Sequence, residues 1–168
     1  DREYPALMPF FKKLREKSHI ICLDDGFRYL QSLPLVDGDR IGVLGFCAAY
    51  PLVFACQNPR LRACVSFYNQ LTYNVDTHHD PSVSPIDRVA SLWCPWQGHY
   101  GAEELYITPD QLSEFTSLAE KYKKSTELHI YSGCGHGFVE PGGPNYKGEG
   151  AELAWDRTFS FLEKHLKA

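Results

Sequence analysis

Residues 40–46 (RIGVLGF) form a short, nearly continuous apolar run between turn signals, and this run constrains the fold more than any other segment. The turn at residues 36–39 (VDGD) precedes it, and residues 48–57, which have helical character, follow it. Such a run is typical of a strand in a parallel sheet, because helices cover both faces of that sheet. The sequence therefore predicts a buried strand followed by a helix.

The same order of strand and helix recurs through the rest of the chain. Strands are predicted at residues 40–46, 61–68, 94–100 and 126–132, and helices at residues 4–18, 20–33, 48–57, 84–92, 109–123 and 149–166. Four strands that are each followed by a helix indicate a mostly parallel sheet flanked by helices. We therefore expect a single α/β domain over residues 1–168.

Charge and hydropathy exclude several classes of protein. The chain has 17 Lys and Arg against 21 Asp and Glu, a net charge of −4, so it offers no basic field to a nucleic acid. Its longest apolar stretches fall short of the roughly 20 residues that a membrane-spanning helix needs. The six cysteines include no CxxC pair, which favours reduced thiols over a disulfide framework. We expect a cytoplasmic protein with no membrane or nucleic-acid partner.

The segment GFCAA at residues 45–49 has the pattern of a nucleophile elbow. In such an elbow, a nucleophile lies on a sharp turn between a strand and a helix, and small neighbours relieve crowding. The pattern points to Cys47 as the nucleophile and to the backbone N–H of Ala48 as an oxyanion-hole donor. A helix N-terminus also favours the attacking thiolate. The alternative for Cys47 is a buried structural cysteine.

A candidate acid and a histidine follow Cys47 along the chain. His136 comes directly after the fourth predicted strand, in SGCGHGF, on a loop that can reach a neighbouring strand end. Glu103 and Glu104 follow the third strand, and either could orient the imidazole or simply be a solvated surface residue. The order nucleophile, acid, histidine is that of α/β hydrolases. The residues alone leave the choice between the two glutamates open.

Taken together, these motifs resemble the dienelactone hydrolases, a branch of the α/β-hydrolase fold with a cysteine nucleophile. The resemblance covers nearly all of residues 20–166 and rests on GFC, HYGAEE, YSGCGHGF and AELAWDRTFSFLEKHL, in this order. It implies that Cys47 is the nucleophile, Glu104 the acid and His136 the base, with Glu where the family usually has Asp. It also implies hydrolysis of esters or lactones through an acyl-enzyme, with no cofactor or metal.

Three departures from the family pattern affect the expected site. Ala49 and Tyr50 replace two glycines that typically follow the elbow. Glu140 lies where some members carry a basic residue that holds a substrate carboxylate, which argues against an anionic lactone as substrate. The family also has strands before the matched region, and these donate a second oxyanion N–H. A catalytically inactive binding or structural subunit of the same fold is therefore the alternative function.

Aromatic residues near the predicted site are candidates for a substrate pocket. We expect Tyr50, Tyr100 and Phe138 there, with packing in the core as the alternative. His78 and His79 are adjacent on one loop without further ligands at suitable spacing, so we expect no metal. The expected binding partner is a small-molecule ester or lactone.

The predicted strand at residues 40–46 comes first in the sheet and lacks an earlier strand to pair with. An exposed, apolar sheet edge promotes pairing with another chain. We therefore expect a protein partner, or an N-terminal segment that this sequence does not include, to cover the strand.

Overall fold

The computed structural model describes residues 15–73 and 83–167. These residues form, in order, α1 (Glu16–Ser32), β1 (Gly42–Phe46), α2 (Tyr50–Gln57), β2 (Ala63–Phe67), a 3₁₀ helix (Ile86–Ser91), β3 (Trp96–Gly101), α3 (Pro109–Lys121), β4 (Thr126–Tyr131) and α4 (Gly148–Leu166). The predicted helix at 4–18 falls largely outside the described residues, as do His78 and His79. Within the described ranges, no helix has the length and apolar character needed to cross a membrane.

The four strands form one parallel sheet in the order β1-β2-β3-β4, which confirms the predicted α/β class. One row across the sheet consists of Leu44, Val65, Gln97 and Glu127, each paired with the next. In a parallel sheet, all carboxyl ends lie at the same edge. The segments after β1, β3 and β4, which carry the predicted nucleophile, acid and histidine, therefore meet at that edge.

The core lies on both faces of the two central strands. Every residue of β2 and of β3 is buried, whereas β1 and β4 are mostly half-buried. Trp96 is fully buried and donates its indole N–H to Ser66 Oγ at 2.9 Å, so its one polar atom is satisfied. The apolar pattern that predicted β2 matches its burial, whereas β3 also buries the polar side chains of Gln97 and His99.

A buried polar network joins α4 to β3 beneath the sheet. The two ring nitrogens of His99 contact Tyr131 Oη at 2.8 Å and Gln97 Oε1 at 2.9 Å, and Thr158 Oγ1 lies 3.1 Å from His99 Nε2. Burial, together with the nearby His129 and Arg157, lowers the pKa of His99 to about 3. The imidazole is therefore neutral at physiological pH and acts as a structural hydrogen-bonding group.

Three predicted helices differ from those observed, and the one predicted at residues 20–33 begins four residues earlier, at Glu16. The segment predicted as a helix at 84–92 is a six-residue 3₁₀ helix with Pro85 at its N-cap. It ends at Leu92, whose backbone is extended (φ −67°, ψ 117°), four residues before β3. The helix predicted from residue 48 begins at Tyr50, because the elbow occupies the residues before it.

The first strand, β1, lies at the edge of the sheet. Among the described residues, it pairs with a strand on one side only. The predicted position of this strand at a sheet edge is confirmed. That a partner or a further segment covers it stays a prediction.

Candidate active site

Cys47 lies on a sharp turn between β1 and α2. Its φ of 61° is in the left-handed region, where a residue other than glycine is strained. A hydrogen bond from Cys47 N–H to Phe67 O, at 3.0 Å, stabilises this strained backbone conformation. Gly45 allows α2 to approach, because a Cβ there would overlap the ring of Pro51. The thiol is exposed at the carboxyl edge of the sheet.

The histidine predicted from the loop after β4 reaches this thiol. His136 Nε2 lies 3.3 Å from Cys47 Sγ, although the two residues are 89 positions apart in the sequence. Gly137, with a φ of 78°, lets the chain turn directly after the histidine. Asn145 donates its side-chain N–H to His136 O at 2.8 Å and fixes the loop.

Of the two candidate acids, Glu104 is the one that contacts the histidine. Its carboxylate oxygens lie 3.0 and 3.1 Å from His136 Nδ1, and its side chain is only 3% exposed. The backbone N–H groups of Leu105 and Tyr106 each donate to Oε1 of this carboxylate at 3.0 Å. Glu103 is exposed and does not reach the imidazole. The longer glutamate is thus accommodated by a loop that folds around its own carboxylate.

The loops that carry the acid and the histidine are packed directly on each other. A Cβ on Gly101, at the end of β3, would overlap the carbonyl of Cys134. Glu103 N–H donates to this same carbonyl at 2.8 Å. The glycine of HYGAEE therefore permits the close approach that brings Glu104 to the histidine.

Opposing effects set the protonation of His136. Burial lowers its pKa, but the hydrogen bonds to Cys47 and Glu104 and the charges of both groups outweigh burial, and the pKa rises to about 9. At neutral pH, His136 is therefore an imidazolium, and Nε2–H points at the sulfur of Cys47.

The buried cysteines have a different environment from the exposed Cys47. Cys56, Cys64 and Cys94 are buried in the core, and all the thiols are free. Burial raises the pKa of Cys56 and of Cys94 to about 12 and that of Cys64 well above its usual value. These three are inert thiols at neutral pH, whereas Cys47 faces an imidazolium.

Two aromatic rings that sequence reasoning missed enclose the imidazole. The ring of Tyr68 lies 4.7 Å from that of His136, and the edge-on ring of Tyr106 lies 4.9 Å away. Tyr68 Oη also donates to Glu140 Oε1 at 3.4 Å. A sequence signal existed for Tyr68, since it is the last residue of the strand predicted at 61–68 and so lies at the carboxyl edge.

The predicted oxyanion donor is adjacent to the thiol, but its N–H already has a partner. Ala48 N–H donates to Phe46 O at 2.6 Å and closes a three-residue turn around Cys47. Such turns are strained. The carbonyl of Ala48 accepts a hydrogen bond from the side-chain amide of Asn69.

The structure does not bring all three predicted pocket residues to an open pocket. Tyr100 and Phe138 are fully buried in the core, because both rings pack beneath the loops of the site. Tyr50 is half-buried and stacks on His19 with ring centroids 4.1 Å apart. It borders an apolar groove of about 310 Å³, together with Ala48. Packing in the core, the alternative for these aromatic residues, is what is found for Tyr100 and Phe138.

Metal ligands are not gathered in the described part of the chain. In residues 15–73 and 83–167, His, Cys, Asp and Glu side chains form no group of three or more that could hold an ion. Glu104 and His136 bond to each other instead.

Comparisons with known proteins bear on the family and the fold. The model of the dienelactone hydrolase family matches residues 2–166. A protein of Bradyrhizobium sp., named "Probable 2-oxo-3-(5-oxofuran-2-ylidene)propanoate lactonase", is 39% identical over 146 residues, which cover 86% of this chain and 58% of the relative. A protein of Escherichia coli (strain K12) with the name of a carboxymethylenebutenolidase is 26% identical over 77% of this chain and 48% of the relative. The chain thus spans about half the length of these curated relatives.

Solved structures share the fold. A protein from Klebsiella pneumoniae subsp. pneumoniae, described as a dienelactone hydrolase, matches with a TM-score of 0.82 over 90% of this chain and 63% of that one, at 22% identity. The α/β hydrolase GrgF from Penicillium sp. sh18 matches with a TM-score of 0.72 over 92% of this chain and 74% of that one, at 14% identity. At these identities, the likeness establishes the fold alone. The match of the family model to nearly the whole sequence establishes more: this chain belongs to the dienelactone hydrolase family.

Proposed function

We propose that this chain hydrolyses carboxylic esters or lactones through an acyl-enzyme on Cys47. One observation carries the proposal: a continuous line of contacts runs from Glu104 through His136 to Cys47 Sγ, at 3.0 and 3.3 Å. A nucleophile, a base within hydrogen-bond reach and a third group that orients the base are the elements of covalent acyl transfer.

The first half-reaction forms a thioester. The Cys47 thiolate, stabilised by the imidazolium of His136, attacks the carbonyl carbon, and the carbonyl electron pair moves onto oxygen. When the tetrahedral intermediate collapses, the bond to the alkoxy group breaks, and that oxygen takes the proton from His136 Nε2. The alcohol leaves, and His136 becomes neutral.

The second half-reaction releases the acid. Neutral His136 takes a proton from water as the water oxygen attacks the thioester carbon. Collapse of this second intermediate breaks the C–S bond, so that a carboxylic acid leaves and the thiolate and imidazolium are restored. Glu104 holds Nδ1–H throughout and keeps Nε2 directed at the reacting atoms.

The developing oxyanion needs a donor, and we assign this role to Ala48 N–H. Because Ala48 N–H donates to Phe46 O at 2.6 Å, the oxyanion would share this donor with that carbonyl. An anionic oxygen competes well for the donor, since a hydrogen bond to a charged acceptor is roughly twice as strong as a neutral one.

The charge of Glu140 and the exposed side chains of Leu105 and Tyr106 indicate the substrate class. The carboxylate of Glu140 contacts Tyr68, whose ring lies against His136, so a negative charge stands beside the reacting groups. Leu105 is 86% exposed and Tyr106 63% exposed on the loop beside the imidazole. The name of the Bradyrhizobium relative specifies a propanoate, an anionic substrate. For this chain we propose instead uncharged, apolar esters or lactones, because the negative charge of Glu140 would repel an anionic substrate.

The free thiols favour a reducing compartment. All six cysteines are unpaired, including the exposed Cys22 and Cys47. Thiols stay reduced in the cytoplasm, so we propose a cytoplasmic location.

Substitution of the nucleophile tests the proposed function. We expect Cys47→Ala to lower turnover of p-nitrophenyl esters and enol lactones by about 10³-fold or more, because the covalent step is lost. The matched control is Cys22→Ala, which removes the other exposed thiol and leaves turnover unchanged. Undiminished turnover in Cys47→Ala, or none in the wild type, would favour the alternative of an inactive subunit.

A further inference from the structure

The strained elbow is held by the segment that follows β2. Phe67 O accepts the N–H of Cys47 at 3.0 Å, and Gln70 N–H donates to Cys47 O at 2.9 Å. The side-chain amide of Asn69 donates to Ala48 O. Three hydrogen bonds therefore connect the elbow to the end of β2 and the segment after it.

Two of the bonds fix the peptides on either side of Ala48. The peptide between Cys47 and Ala48 carries the proposed oxyanion donor, and Gln70 holds its carbonyl end. Asn69 holds the carbonyl of the next peptide. With both planes fixed, the direction of Ala48 N–H is fixed as well. Asn69 is the member of this set that acts through a side chain, so substitution can remove its bond alone.

The buried environment of the Asn69 side chain lowers the stability of the fold. The residue is fully buried, and its Oδ1 has no hydrogen-bond partner in the described structure. A buried, unpaired acceptor destabilises a fold. Residues that break such a local rule are expected at functional sites, where the geometry they impose is needed.

Tyr100 supports Asn69 from the neighbouring strand. Its hydroxyl donates to Asn69 O at 3.1 Å, and both residues are fully buried. A chain of two hydrogen bonds therefore leads from β3 through Asn69 to the elbow.

We propose that Asn69 is a positioning residue that aims Ala48 N–H at the oxyanion, with Tyr100 holding Asn69 in place. The inference rests on the proposed function, since the oxyanion forms only when Cys47 attacks a carbonyl. A purely structural role of Asn69 would affect every reaction of Cys47. The proposed role affects only reactions that pass through an oxyanion.

Two reactions of the same thiol separate the roles. Acylation by p-nitrophenyl acetate passes through an oxyanion. Alkylation by iodoacetamide does not, because the C–S bond forms as iodide leaves. For Asn69→Ala, we expect the acylation rate of Cys47 to fall by about 10²-fold, as for a lost oxyanion donor, while alkylation stays within roughly twofold. For Tyr100→Phe, we expect a smaller loss of acylation with unchanged alkylation.

The control is Asn58→Ala, which removes another buried asparagine with an unpaired side-chain atom, at the end of α2. We expect it to alter neither rate. Rates are followed by mass spectrometry of the peptide that contains Cys47, and circular dichroism checks each fold.

Three results would overturn the inference. The first is an unchanged acylation rate in Asn69→Ala. The second is a parallel loss of acylation and alkylation in this variant, because such a loss means that the thiol itself has moved. If Asn69→Ala does not fold, Tyr100→Phe is judged by the same two criteria. A wild type that is alkylated but never acylated overturns the proposed function, and this inference with it.

Discussion

Charge at single residues determines what a substrate meets at this site. Two carboxylates lie near the triad. Glu104 is bonded to the imidazole and to two backbone N–H groups, whereas the exposed Glu140 accepts a hydrogen bond from the hydroxyl of Tyr68. Burial and Glu140 raise the pKa of Tyr68, so its hydroxyl stays protonated and remains a donor. An approaching substrate therefore meets the charge of Glu140 rather than that of Glu104.

Reversing the charge of Glu140 tests the substrate class. We expect Glu140→Arg to raise kcat/KM for a carboxylate-bearing lactone, relative to an uncharged lactone, by roughly tenfold, since repulsion is replaced by attraction near the surface. Steady-state kinetics with both lactones measure the ratio. The control is Glu120→Arg, an exposed reversal at the far end of α3. A ratio that changes equally in both variants would contradict the assignment.

The triad could be predicted from the sequence because each member directly follows a predicted strand of a parallel sheet. Chain order and strand ends sufficed for Cys47 and His136, and the family resemblance selected Glu104. The residues that hold the elbow were not predictable in this way. Asn69 and Tyr100 act through contacts between segments far apart in sequence, and a buried tyrosine has the same sequence pattern as one that lines a pocket.

At the scale of elements, periodicity predicted the strands well and short helices less well. The first two strands contain nearly continuous apolar runs, which reflect burial of both faces, and β4 alternates polar and apolar residues. The segment Ile86–Ser91 is a 3₁₀ helix, and the apolar spacing of so short a segment does not distinguish this type from an α-helix. Likewise, the polar network between β3 and α4 could not be foreseen, because His99 lies in a predicted strand and its partners lie on three elements.

This network predicts acid sensitivity. The folded pKa of His99, about 3, lies below its usual value, so between about pH 6.5 and pH 3 the unfolded chain binds a proton that the folded chain does not. The contribution of His99 to stability is fully present above pH 6.5. As the pH falls through this window, the free energy of unfolding decreases by at most about 1.4 kcal/mol per pH unit.

Urea unfolding of the wild type and His99→Gln between pH 7.5 and pH 4 checks this expectation. The wild type should lose stability more steeply than the variant, whose glutamine does not titrate. Equal slopes would mean that His99 is protonated in the folded protein or is not the group responsible.

At the scale of the whole molecule, the open edge of the sheet is the main feature. An apolar groove of about 380 Å³ lies between α1 and β1, and Leu23, Phe27 and Val43 line it. The curated relatives extend well beyond the matched length. We propose that another strand, from a partner or from a longer polypeptide, covers this edge.

We therefore expect the 168-residue chain alone to self-associate through β1. Val43→Lys should reduce the association, since a charge on an edge strand opposes pairing. Analytical ultracentrifugation over a range of concentrations measures the oligomeric state, and hydrogen exchange reports protection of the β1 amides. A chain that stays monomeric, with β1 amides that exchange rapidly, would show that the edge is stable without cover.

The central claim is that Cys47, activated by His136, forms a thioester with the acyl group of the substrate. Trapping of this acyl-enzyme tests the claim most directly. Wild type and His136→Gln are mixed with an uncharged p-nitrophenyl ester, quenched in acid, digested and analysed by mass spectrometry. We predict one acyl group on the peptide that contains Cys47 in the wild type, and strongly reduced acylation of that peptide in His136→Gln. Acylation that is absent, equal at Cys22, or unaffected by His136→Gln would contradict the account.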